Sequence, residues 1–262
     1  MTIISKKPTL GILGIGHLAT YTVTGLRHSE DNRRIILSPR NAERSKVLAQ
    51  QFNCEIADSN QAVIDQSDII LLAVRPFQLN DLLSSLHFPK DKVVISAAAG
   101  VSLSQLREKA DLPEKLALIL PGVSAENAKG FVPIYPNFTE VKALSDSLGK
   151  TIEFEKESQF DEAATMACLN GWMYRFFDEQ VNWLKAQGID AVNAREIVLQ
   201  NTIGSAHYAL GRPQHSLLEL TSEIAKEGTY TKAGIDHLEA NQAFAKWSDA
   251  LDMIKQKLNS SD

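Results

Sequence analysis

Three groups of residues in this chain could do chemistry together. The first is Gly14-Ile15-Gly16-His17-Leu18-Ala19, which closes the apolar run Leu10-Gly11-Ile12-Leu13 and opens a helical pattern. Gly-x-Gly-x-x-Ala between a strand and a helix is a dinucleotide-binding turn. The first glycine turns the chain, the second leaves no Cβ between backbone and pyrophosphate, and the alanine keeps helix and strand close. First-turn amides and the helix dipole then face the phosphates. Taken alone, the six residues fit an ordinary glycine turn equally well. The second group is Ser38 and Arg40, at the end of the next apolar run. An NAD site usually carries a carboxylate there for the ribose 2′-hydroxyl, but none occurs before Glu43. A hydroxyl and a planar guanidinium suit a 2′-phosphate instead, with Arg44 as a second cation, so NADPH is favoured over NADH. The third group, Gly228-Thr229-Tyr230-Thr231, leads into a helical pattern toward Glu239. A helix N-terminus with free amides suits a carboxylate.

The elements that would position these groups are legible in the apolar spacing. Short apolar runs at residues 9–13, 34–37, 55–57, 69–74, 93–97, 116–120 and 130–135 alternate with helical patterns such as 42–52, 60–66 and 103–109. That alternation predicts a parallel sheet with helices on both faces, so the glycine turn follows the first strand and opens the first helix. The fold class is therefore α/β, an N-terminal Rossmann doubly wound parallel sheet over residues 1–157. Two further strand ends, Ala73-Val74-Arg75-Pro76 and Ser96-Ala97-Ala98-Ala99-Gly100, supply small residues where ligands bind in open α/β sheets. His17, Leu18, Ala73, Val74, Arg75, Pro76, Ala98 and Gly100 thus join Gly14, Gly16, Ser38 and Arg40 as cofactor contacts.

After Glu153 the alternation stops and residues 158–262 read as an all-α domain. Phe160, Ala164, Ala167, Gly171, Tyr174, Phe177, Val181 and Leu184 recur at helical spacing, predicting a long helix. Met166, Leu169, Met173 and Trp183 make it apolar nearly all round. Such a helix must be covered on most sides, and a second subunit can supply that cover, as can a bundle within one chain. Further helices are predicted over 193–209, 216–225, 230–240 and 242–258.

Composition removes other classes. With 44% hydrophobic and 23% charged residues, the chain is that of a soluble globular protein. A net charge of −5 argues against nucleic-acid binding. The longest aliphatic run, residues 69–74, is too short to cross a membrane. Residues 1–7 lack the apolar core of a signal peptide. The two cysteines, Cys54 and Cys168, lie in segments that look buried and read as reduced thiols of a cytoplasmic protein. No Cys/His cluster has metal-ligand spacing.

Across nearly its whole length the chain resembles the pyrroline-5-carboxylate reductase family. Gly11-Ile12-Leu13-Gly14-Ile15-Gly16-His17-Leu18-Ala19 is similar to the family's G-F-I-G-A-G-N-M-A, Ala73-Val74-Arg75-Pro76 to its A-V-K-P, and Ser96-Ala97-Ala98-Ala99-Gly100-Val101-Ser102 to its S-x-A-A-G-[IV]-[ST]. Asn60 stands where the family has an asparagine near the adenosine ribose. In the second half, Gly204-Ser205-Ala206 and the stretch from Lys226 through Gly228-Thr229-Tyr230-Thr231 to Ile235 fall where the family has G-A-A and S-P-G-G-T-T-x-x-[AG]-L. The resemblance implies NADPH-dependent reduction of a cyclic imine carboxylate to proline and a homodimer built on the C-terminal helices. By family position Thr231 would meet the imine nitrogen, with Lys226, Gly228 and Thr229 around the substrate; Thr231 could equally be a helix cap.

The departures sit on the substrate side. The family's M-P-N-T-P is Leu120-Pro121-Gly122-Val123-Ser124 here, its S-G-S-G-P-A-Y is Cys168-Leu169-Asn170-Gly171-Trp172-Met173-Tyr174, and its serine-proline pair is Lys226-Glu227. Three functions follow as alternatives: reduction of pyrroline-5-carboxylate, reduction of another imine or carbonyl by an enzyme of the same build, or a non-catalytic NADP-binding dimer. The β-hydroxyacid dehydrogenases, which share the outline, carry a catalytic lysine on the corresponding helix; no lysine follows Asn170 here until Lys185.

Overall fold

A computed structural model of the chain describes residues 7–259. The signal-peptide expectation for residues 1–7 falls almost wholly outside them. Two compact units are present: one runs to Ala167 and is rejoined at Leu258, and the other is Cys168–Lys257.

The first unit alternates strands and helices as β1 (Leu10–Leu13), α1 (His17–His28), β2 (Ile35–Leu37), α2 (Ala42–Phe52), β3 (Glu55–Ile56), α3 (Asn60–Asp65), β4 (Ile69–Leu72), α4 (Leu79–Leu83), β5 (Val93–Ser96), α5 (Leu103–Lys109) and β6 (Leu116–Ile119). Then follow β7 (Phe131–Tyr135), α6 (Thr139–Asp146), β8 (Lys150–Glu153) and α7 (Glu157–Thr165). The sheet order is β3-β2-β1-β4-β5-β6-β7-β8. Strands β1, β4, β5 and β6 are buried at every residue, which is why they read as continuous aliphatic runs without alternation. Two apolar clusters pack the two faces: Val23 and Leu26 of α1 lie in one, Val63, Leu82 and Phe160 in the other.

Two features depart from the sequence expectation. β7 runs antiparallel to β6, with Leu118 opposite Tyr135 and Ile119 opposite Ile134, so the sheet is mostly rather than wholly parallel. The connection from β6 to β7 holds only a 3₁₀ turn, Val123–Asn127, too short for the crossover a parallel pair needs. The eighth strand, β8, pairs parallel to β7 and has no apolar signature because only Thr151 in it is buried. It closes one edge of the sheet; β3, exposed at both its residues, closes the other. Short polar edges of this kind discourage pairing with other chains.

The second unit consists of α8 (Leu169–Ala186), α9 (Ala191–Leu210), α10 (Leu217–Ile224), α11 (Tyr230–Ala240) and α12 (Ala243–Asn259). The predicted long helix is therefore interrupted. A 3₁₀ turn at Met166–Cys168 separates α7 from α8, next to Thr165, whose hydroxyl donates 2.6 Å back to the Glu162 carbonyl and competes with the helical bonding there. α7 packs with the sheet, Phe160 being in its core. Cys168, in the turn, is exposed, against the expectation of a buried thiol; Cys54 is half-buried, and burial pushes its thiol up. Among the described residues no helix is long and apolar enough to cross a membrane, and no group of side chains could hold a metal ion.

Candidate active site

β1 delivers the chain to Gly14, whose φ is +96°. A Cβ there would stand 2.5 Å from Val74 Cγ1 and 2.8 Å from the Ala73 carbonyl oxygen, so both conformation and the end of β4 demand glycine. Gly16 is different. Its backbone is extended, φ −107° and ψ −163°, and a Cβ there would meet nothing within 4 Å. The chain's own packing does not ask for glycine at 16; a ligand lying against the backbone would. α1 begins at His17 without a side-chain cap or an acidic residue in its first turn, leaving the amides of His17, Leu18 and Ala19 without intrahelical acceptors. Open space over Gly16, bare amides and the positive end of the dipole fit a pyrophosphate.

The second strand's end lies beside this turn. Ser38 is buried, and its hydroxyl donates 2.6 Å to Asn60 Oδ1, so its proton serves the scaffold and would have to swing to reach a phosphate. Arg40 and Arg44 are exposed, and neither guanidinium pairs with a carboxylate among the described residues. Asn41, which the sequence argument passed over, caps α2 by accepting 3.4 Å from the Arg44 amide and donates 3.2 Å from Nδ2 to the Ile15 carbonyl. An asparagine before a helical pattern signals the cap; its bond to the glycine turn has no local signature.

Ala73 donates 2.8 Å from its amide to the Leu13 carbonyl, continuing the β1–β4 pairing past the strand ends. Val74 is half-buried, and Arg75 and Pro76 are exposed. Ala98 is buried, while Gly100 needs its glycine for a φ of +74°. β2, β1, β4 and β5 are adjacent and parallel, so the expected cofactor residues of all four strand ends emerge on one side of the sheet.

In the helical unit the two threonines separate. Thr229 is the cap of α11: its Oγ1 accepts 3.2 Å from the Lys232 amide and donates 2.7 Å to the Lys226 carbonyl. Gly228 turns the chain into it with a φ of +80°. Thr231 is exposed in the first turn, and no side-chain partner holds its hydroxyl among the described residues. Lys226 is exposed and outside any ion pair there; Glu227 beside it is exposed too. Of the altered positions, Ser124 lies in the 3₁₀ turn that packs on α1, so closely that a Cβ on Gly25 would overlap the Ala125 carbonyl. Trp172 stacks edge-on against Trp247, centroids 6.2 Å apart.

Two family models match the chain in succession: NADP oxidoreductase, coenzyme F420-dependent, over residues 9–100, and pyrroline-5-carboxylate reductase dimerisation over residues 157–260. Sheet, phosphate-fitting turn and helical unit together define an NADP oxidoreductase with a dimerisation domain. Pyrroline-5-carboxylate reductase of Staphylococcus epidermidis is 23% identical over 250 residues, 91% of this chain and 92% of that one. The solved 1-pyrroline-5-carboxylate reductase of Streptococcus pyogenes superposes with a TM-score of 0.86 at 29% identity, covering 98% of this chain and 100% of that one. The Plasmodium falciparum pyrroline carboxylate reductase with NADP bound has the same fold, with a TM-score of 0.81 at 19% identity over 97% and 98% of the two chains. The C-terminal helices thus match the dimerisation domain of the pyrroline-5-carboxylate reductases, and the chain is similar to those enzymes over nearly its whole length.

Proposed function

We propose that this protein reduces 1-pyrroline-5-carboxylate to proline with NADPH, as a homodimer through its C-terminal helices. The observation that carries the reading is the pairing, in one chain, of a turn whose second glycine faces open space with a helical unit of the reductase family. When bound, the dihydronicotinamide supplies a hydride to the imine carbon. Gly14 and Gly16 shape the pyrophosphate cradle, with His17 and Leu18 giving amides. Arg40 and Arg44 take the 2′-phosphate, and Asn60, held by Ser38, borders the adenosine ribose. The strand-end residues Ala73, Val74, Arg75, Pro76, Ala98 and Gly100 bound the rest of the dinucleotide.

In the helical unit, the Tyr230 and Thr231 amides at the start of α11 have no acceptor inside the helix and suit the substrate carboxylate, with Lys226 adding positive charge. Thr229 and Gly228 hold that turn. The Thr231 hydroxyl is free to meet the ring nitrogen; a substrate that arrives as the iminium needs little further acid. A cytoplasmic setting, expected from the sequence, belongs to the same proposal.

The test is oxidation of NADPH and of NADH by the purified protein across a panel of cyclic imines and keto acids. Pyrroline-5-carboxylate with NADPH should give the highest kcat/KM. A better substrate elsewhere in the panel would reassign the specificity, and nucleotide binding without turnover on any member would make the protein a binding module.

A further inference from the structure

Arg40 and Arg44, assigned above to the 2′-phosphate, are exposed, and neither pairs with a carboxylate among the described residues. Arg40 and Arg44 flank Asn41 in sequence, and Asn41 is the residue that ties their segment to the rest of the site. Its Oδ1 accepts from the Arg44 amide at 3.4 Å, which sets the first turn of α2. Its Nδ2 donates to the Ile15 carbonyl at 3.2 Å, inside the glycine turn between Gly14 and Gly16. Ser45, one turn into α2, holds the same corner from the other side by donating 2.8 Å to the Ser38 carbonyl. Ser38 in turn donates to Asn60. The pyrophosphate cradle and the pair of cations are thus two parts of one hydrogen-bonded frame, and Asn41 is the side chain that bridges them directly.

We infer that Asn41 is a positioning residue that sets the spacing between the pyrophosphate turn and the 2′-phosphate cations, and so contributes to selection of NADPH over NADH without touching the phosphate. The inference rests on the NADPH reading above. A 2′-phosphate and a pyrophosphate are joined through one ribose, so their separation in the ligand is nearly fixed. Recognition of both at once depends on the protein holding its two anion sites at the matching distance, whereas a nucleotide lacking the 2′-phosphate uses only the cradle. Loosening the tie therefore weakens binding of the doubly anchored ligand more than the singly anchored one.

The variant that separates this from a mere helix cap is Asn41→Ser. Serine caps a helix about as well as asparagine but has no amide to donate to Ile15. Calorimetric titration of the protein with 2′-phospho-ADP and with ADP, which share the 5′-pyrophosphate and differ only in the 2′-phosphate, reads the two anchoring modes without catalysis. The expected result is a loss of affinity for the 2′-phosphorylated probe of about tenfold, with the ADP affinity falling by about threefold or less and Tm unchanged. In an Arg40→Ala background the same substitution should cost the 2′-phosphorylated probe no more than it costs ADP. Equal losses for both probes, or no loss, would overturn the positioning role. A drop in Tm accompanied by rescue of both affinities in Asn41→Asp, which caps but cannot donate, would also overturn it. A wild-type protein that binds ADP as tightly as the 2′-phosphorylated probe would instead overturn the NADPH reading itself.

Discussion

At the scale of single residues, two pairs of like residues do unlike work. Gly14 and Gly16 are both part of one motif, but only Gly14 is required by the fold. Gly14→Ala should lower stability by at least 1 kcal/mol, through an unfavourable φ and a clash with the Ala73 carbonyl. Gly16→Ala should leave Tm unchanged or slightly raised, since the position is open and an alanine restricts the unfolded chain, while nucleotide affinity falls tenfold or more. Thermal melts beside nucleotide titrations distinguish the two. Thr229 and Thr231 make the second pair. Thr229→Ala removes a cap and should cost about 1 kcal/mol. Thr231→Val should leave stability alone and cut kcat by tenfold or more, because only its hydroxyl is free to face a substrate. The spacing of these residues was legible in the sequence. Which member of each pair serves the fold was not, because the answer lies in contacts with Ala73, Val74 and Lys226 that no local pattern encodes. Ser38 shows the same limit: its type pointed to a phosphate, and no local pattern showed its hydroxyl donating a hydrogen bond to Asn60.

At the scale of elements, the frame that carries the site is anchored at the far end of β2. Asp31 and Arg33, between α1 and β2, are both almost fully buried and joined by two bonds of 3.0 and 2.7 Å. Lys7 at 3.1 Å and the Ser147 hydroxyl at 3.0 Å complete the cluster, so the loops before β1, before β2 and before β8 meet on one carboxylate. Burial by itself would push the Asp31 carboxyl up, but the Arg33 guanidinium outweighs it and holds the group well below the usual carboxylate range. A depressed folded value means the contribution to stability is complete above the unfolded value, about pH 4, and is lost as the pH falls toward the folded one. Acid unfolding followed by circular dichroism should therefore steepen below about pH 4 in the wild type. Asp31→Ala should destabilise by about 3–5 kcal/mol at neutral pH, because it strands a buried guanidinium, and should flatten that acid limb. The sequence showed seven of the strands through their aliphatic runs. It concealed β8 and the reversal of β7, since an edge strand with one buried residue carries no pattern and direction follows from connection length.

At the scale of the whole molecule, the two units differ in how far they close upon themselves. Among the described residues of Cys168–Lys257, the buried apolar side chains are Ala194, Val198 and Leu220. Val192, Leu210, Leu217, Leu218, Ile224 and Tyr230 are more than half exposed in the single chain. A helical unit of this size needs far more cover than that. Light scattering should accordingly find a dimer or a multiple of it, and Tm should rise with protein concentration. Ile203→Glu on α9, half-exposed in the single chain, should shift the population toward monomer and lower Tm, and the fluorescence of the tryptophans on α8 and α12 would report the change. The helical periodicity disclosed the need for cover; it did not disclose the break at Met166–Cys168.

The guanidinium groups of Arg40, Arg44 and Arg75, none of them in an ion pair among the described residues, have one consequence for the protein in its medium. The chain as a whole carries a net charge of −5, so an anionic nucleotide meets a weak overall repulsion that exposed cations at the strand ends oppose locally. Under the proposed placement of the nucleotide, this local positive charge speeds capture there relative to the rest of the surface. Such guidance fades as ions screen it, over about 10 Å at 0.1 M salt and about 3 Å at 1 M. On the proposed reading, cofactor preference becomes a property shared between the chain and the ionic strength around it, and should measure larger in dilute buffer than at high salt.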